Sequence, residues 1–102
     1  VNQAFTETET SLIQLLLNAS NTEQNVEISA INHVLGIKDK NVGLQKKVRS
    51  DVINAINDKY IFITQGEKNL IASVRKEDDK RFYEYFIVST EVKTAQKLIE
   101  KN

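Results

Sequence analysis

The spacing of apolar positions changes several times along the chain, and each change marks an element. Leu12, Ile13, Leu15, Leu16 and Leu17 recur as one wide helical face. Thr6 and Glu9 precede them at the spacing of a capping box, in which each side chain satisfies the other's backbone N–H. The face ends at Asn18, and residues 20–25 are all polar, which predicts a loop. Val26, Glu27 and Ile28 alternate over a length that suits one short strand pairing. Ser29 stands where it would cap a second helix carrying Ala30, Ile31, Val34 and Leu35. Gly36 follows at the left-handed position after its last turn.

A short polar connection, Lys38-Asp39-Lys40, leads into a long helix predicted over 42–59. With Val48 at the centre of the buried face, Leu44, Val52, Ala55 and Ile56 fall beside it at 100° per residue. Val42, Lys46, Arg49, Ser50, Ile53 and Asn57 fall on the other side, where Ile53 is an aliphatic misfit. After Tyr60 the period shifts to alternation. Residues 61–64 read as a strand and 65–69 as a turn. Residues 70–76 and 81–88 read as two further strands around a hairpin tip at 77–80. Thr90 is placed to cap a last helix with Val92, Ala95, Leu98 and Ile99 on one face. Glu91 in its first turn and Lys97 and Lys101 near its end match the helix dipole.

A chain of 102 residues with 40% apolar content supports one core, so a single domain over 1–102 is expected. The absence of methionine leads us to expect a piece of a longer protein. There is no cysteine, which removes disulfides and thiolate metal sites and fits a cytoplasmic setting. No apolar run is long enough to span a bilayer, and no membrane partner is expected. His33 stands alone and is expected to be a surface or rim residue rather than a metal ligand. One His, no Cys and only three Gly give no nucleophile–base pair and no phosphate loop. We therefore expect no enzyme and no cofactor. Asp78 and Asp79 are neighbours at a hairpin tip, and their side chains should point apart.

Net charge is zero, but its distribution is uneven. Residues 1–37 hold four carboxylates and no Lys or Arg. Residues 38–102 hold all fourteen basic residues against ten acidic ones. Such a split points to one face built for an anion, although a neutral protein must also place its charges somewhere. The order helix, short strand, helix, long helix, hairpin, helix predicts an α+β fold. Its specific form is a winged helix-turn-helix, with a three-helix core, a hairpin wing and one additional C-terminal helix. In that arrangement the basic first half of the long helix reaches DNA while its aliphatic second half stays on the core.

On these residues the chain resembles the winged-helix DNA-binding domains of bacterial transcription regulators, the OmpR/PhoB-like effector type most of all. The resemblance rests on ThrGluThrGlu at 6–9 and LeuIleGlnLeuLeuLeu at 12–17. It continues with LeuGly at 35–36 and with Asn41-Val42 opening a helix that contains Lys46, Lys47 and Arg49. It covers roughly residues 6–88. Three features depart from that type: the antiparallel sheet before the first helix is absent, the recognition helix is longer, and a helix follows the wing. The resemblance implies sequence-specific binding of double-stranded DNA in transcription regulation. Gln45, Lys46, Arg49 and Ser50 would make groove contacts, and Lys38, Lys40 and Lys47 phosphate contacts. Arg75, Lys76, Lys80 and Arg81 would lie at the wing. Glu77, Asp78 and Asp79 at the tip oppose phosphate binding unless they pair with the adjacent cations. A protein-interaction or dimerisation module is the alternative, since fold does not fix function. The isolated domain is expected to be a monomer, with dimers formed in the full-length protein or on DNA.

Overall fold

The computed structural model describes residues 4–101. In chain order the elements are α1 (Glu7–Ser20), β1 (Val26–Glu27), α2 (Ile28–Val34), α3 (Val42–Thr64), β2 (Ile71–Arg75), β3 (Tyr83–Ile87), a 3-10 turn (Ser89–Glu91) and α4 (Val92–Lys101). The three strands form one antiparallel sheet in the order β1-β3-β2. Val26 pairs with Tyr85, and Ile71 through Arg75 pair with Ile87 through Tyr83. The α+β class read from the sequence therefore holds.

The capping box forms as predicted. Thr6 N–H donates to Glu9 Oε1 at 2.9 Å, and Glu9 N–H donates to Thr6 Oγ1 at 3.1 Å. Lys59 Nζ reaches the same Glu9 oxygen at 2.6 Å, tying the start of α1 to α3. Two other caps differ from expectation. Ile28 already opens α2, so Ser29 lies exposed inside the first turn and Glu27 is the capping position, with no side-chain bond. At the C-terminal end the chain makes a 3-10 turn before α4, and the Thr90 hydroxyl donates to Glu91 Oε2 instead of capping the helix. Gly36 is left-handed (φ 71°) just past α2, as its place in the sequence suggested.

The long helix differs most from its sequence reading, in both length and rotation. Residues 61–64 are helical, not extended, and α3 ends at Gln65 in the left-handed region. A helix already propagating adds residues at little cost, and Tyr60 is fully buried in its last turns. The Thr64 hydroxyl donates back to the Tyr60 carbonyl at 2.8 Å. These terms outweigh the β preference of Ile61 and Ile63, which is context-dependent. The buried face is Ile53, Ile56, Asn57 and Tyr60, about a third of a turn round from the Val48-centred face. Ile53, the expected misfit, is core at 8% exposure. Leu44 is exposed, and Val48, Val52 and Ala55 are half-buried.

The reason for the rotation is Asn57. Its Oδ1 accepts from the N–H groups of Leu70 and Ile71 at 3.0 and 2.9 Å, and its Nδ2 donates to the Ile71 carbonyl at 3.2 Å. A buried amide in this place satisfies backbone groups where β2 begins, so a polar residue belongs in the core-facing stripe.

The core joins Phe5, Leu12, Ile13, Leu16 and Leu17 to Ile31, Ile53, Ile56 and Tyr60, and to Leu70, Ile71, Ile87 and Ala95. α1 covers β3, and α4 folds back along α1 rather than over the Phe82–Phe86 strand. Val92, Leu98 and Ile99 are half-buried against this core. Burial along the hairpin runs from Ile71 and Ile87 at its base to exposed Arg75 and Tyr83, so its tip projects beyond the core. None of the described helices is long and apolar enough to cross a membrane.

Candidate nucleic-acid interface

The first turns of α3 and the projecting hairpin face each other across a groove of about 580 Å³. Asn41 sets the start of α3, its Oδ1 accepting from Leu44 N–H at 2.8 Å. From that start, Val42, Gln45, Lys46 and Arg49 fall on one side and form one wall. Further along α3 the same side becomes the buried Ile53–Tyr60 stripe. The groove is therefore the outward continuation of the core-facing surface of α3. The hairpin supplies Lys76, Arg81, Phe82 and Tyr83, and the β1–α2 junction supplies the floor with Glu27, Ile28, Ser29 and Asn32.

Lys46 is exposed and makes no ion pair among the described residues. Arg49 is half-buried, and its Nη1 donates to Oδ1 of buried Asn32 at 2.9 Å, a neutral partner that leaves the positive charge uncompensated. Gln45 has its amide committed: Nε2 donates to the carbonyls of Ile37 and Lys38 at 3.0 Å each. It braces the α2–α3 connection and so holds Lys38 and Lys40, both exposed, beside the start of α3.

The hairpin cations are largely engaged. Lys76 Nζ lies 3.0 Å from Glu27 Oε1, and the hydrogen bond and charge of Glu27 raise its pKa above the ordinary lysine value. Arg81 pairs with Asp79 through Nη2 at 2.8 Å and Nε at 3.0 Å, which lowers the Asp79 pKa and raises that of Arg81. This is the tip pairing that the sequence left open. Glu77 and Asp78 stay exposed. The Arg81 guanidinium also stands over the Phe82 ring at 5.6 Å, and Arg75, opposite Tyr83 in the register, over the Tyr83 ring at 5.5 Å.

Of the eleven residues singled out in the sequence, the groove gathers five: Gln45, Lys46, Arg49, Lys76 and Arg81. Lys47 faces away and pairs with Asp51 at 3.0 Å. Ser50 opens on a separate groove between α3 and β2, beside Asn54, Asn69 and Ser73. Arg75 and Lys80 are exposed and do not line the groove. Glu27, Asn32, Val42 and the two rings of Phe82 and Tyr83 were not singled out for the site. The aromatic run at 82–86 was the visible signal, but only the strand pairing decides which rings reach α3. Among the described residues no group of His, Asp and Glu is placed to hold a metal ion.

Comparison with protein-family models, with curated proteins and with solved structures returns no match.

Proposed function

We propose that the chain is a winged-helix domain that binds double-stranded DNA, with the first turns of α3 entering the major groove and the β2–β3 hairpin as the wing. The reading includes its use as the output domain of a bacterial transcription regulator acting in the cytoplasm. The order α1-β1-α2-α3-β2-β3 with β1 and β2 flanking β3 supports the fold. The observation that carries the function is the convergence of Lys46 and Arg49, neither paired with a carboxylate, with the hairpin on one groove at the start of α3. Lys38 and Lys40 extend that positive edge along the connection. Arg and Lys match guanine edges and phosphates.

Fluorescence-anisotropy titration of the chain against random duplex DNA at two salt concentrations tests this. Lys38, Lys40, Lys46 and Arg49 carry the contact charge, which corresponds to a log–log salt slope of roughly −3 to −4. No binding at low salt, or binding insensitive to salt, overturns the proposal. A protein-interaction module is the second reading. It is favoured by Phe62, which is 83% exposed near the end of α3, and by the internally paired hairpin.

A further inference from the structure

We propose that the groove between α3 and the hairpin takes unpaired bases of a DNA strand lying beside the duplex, so that the preferred ligand is a duplex with a single-stranded tail. The inference rests on the DNA-binding reading above. It starts from what the hairpin does not offer. Its tip presents Glu77 and Asp78 beside the exposed Lys80, while Lys76 and Arg81 are held by Glu27 and Asp79. With two free carboxylates against one free cation, such a tip has no net attraction for phosphate.

What the hairpin turns to the groove instead is a pair of rings. Phe82 is 48% exposed and Tyr83 is exposed beside it, both on the groove wall. Phe82 is fixed by its backbone: its N–H donates to the Asp79 carbonyl at 3.1 Å, and its own carbonyl accepts from Lys76 N–H at 2.9 Å. The guanidiniums of Arg81 and Arg75 lie over these rings. A ring with a guanidinium over one face can take a base on its other face, and such stacking tolerates any base sequence. The opposite wall supplies Lys46 and Arg49 for the phosphates of the same strand. A base inside a duplex is covered on both faces by its neighbours. An unpaired base has free faces and can lie on Phe82 while α3 holds the adjoining duplex.

The test compares a blunt duplex with the same duplex carrying a short thymine tail, both titrated against the 102-residue chain by fluorescence anisotropy. The tailed probe is expected to bind at least roughly fivefold more tightly, the lower end of what one base stacked on an aromatic side chain contributes. Phe82→Ala should bring the ratio of the two affinities to about one, Phe82→Trp should retain it, and Phe62→Ala, at the far end of α3, should leave it unchanged. Circular dichroism checks that each variant is folded. Equal affinities for the two probes, or a ratio that survives Phe82→Ala, overturn this inference alone. Failure to bind either probe overturns the DNA reading and this inference with it.

Discussion

Asn57 exerts more control over the fold than its polarity would indicate. Three hydrogen bonds join its amide to the backbone of Leu70 and Ile71. Truncation strands two buried N–H groups, so Asn57→Ala should cost about 3 kcal/mol in denaturant melts. That exceeds a typical surface substitution several-fold. The same register sets the ranking of aliphatics on α3. Ile53→Ala should lose about 2–4 kcal/mol, as a core truncation does. Val48→Ala, at a half-buried position outside the core cluster, should lose less than about 1 kcal/mol. Lys46→Ala should leave stability within about 0.5 kcal/mol of the parent, because its side chain is exposed and unpaired. The reverse order of Ile53 and Val48 in chemical denaturation would mean that α3 is rotated back to the face read from the sequence.

At the scale of elements, two titratable contacts tie the helices together, and each gives stability a pH dependence of known sign. Burial raises the Glu9 pKa, but the hydrogen bonds and charge of Lys59 and Thr6 outweigh it and hold Glu9 below its ordinary 4.5. A depressed carboxylate contributes stability above its unfolded pKa and loses it as pH falls through the folded one. The α1–α3 tie should therefore weaken on acidification below about pH 4.5, and Glu9→Gln should flatten that limb of a thermal-melt series. Tyr60 behaves oppositely. Burial first, then the hydrogen bond and charge of Glu91, push its hydroxyl from 10.0 up to about 12. Its raised pKa gives stability that is complete below pH 10 and falls as pH rises toward 12. Tyr60→Phe should remove this dependence. Melts across both ranges, with each variant beside the parent, check both signs.

At the scale of the whole molecule, the packing of α4 bears on assembly. Its stripe of Val92, Ala95, Leu98 and Ile99 is turned onto the domain's own core beside α1. The expected outcome is a monomer at micromolar concentration in sedimentation, with Leu98→Glu lowering thermal stability rather than dissolving a dimer. A stable dimer that Leu98→Glu converts to folded monomer would contradict this. The groove belongs to the same scale. Its walls come from residues around 28, 45 and 82, which no local pattern brings together.

What the sequence determined by itself is what short-range periodicity encodes. The capping box at Thr6 and Glu9, the left-handed Gly36, the short strand at Val26 and the hairpin strands around 71–75 and 83–87 all follow from residue spacing and turn chemistry. The α+β class and the basic start of α3 were legible for the same reason. Tertiary structure alone decided the rest. The helix-to-strand switch expected at Tyr60 was overridden because a buried Tyr60 and a propagating helix outweigh local β preference. The rotation of α3 was hidden because hydrophobicity scores Asn57 as surface, while the open backbone groups at Leu70 and Ile71 require an amide there. The pairing state of the cations was hidden as well. Lys76 meets Glu27 from 49 positions away, and Arg49 meets Asn32 across 17. Charge in a sequence is a sum over residues, whereas the field in a groove depends on which charges the fold has already neutralised.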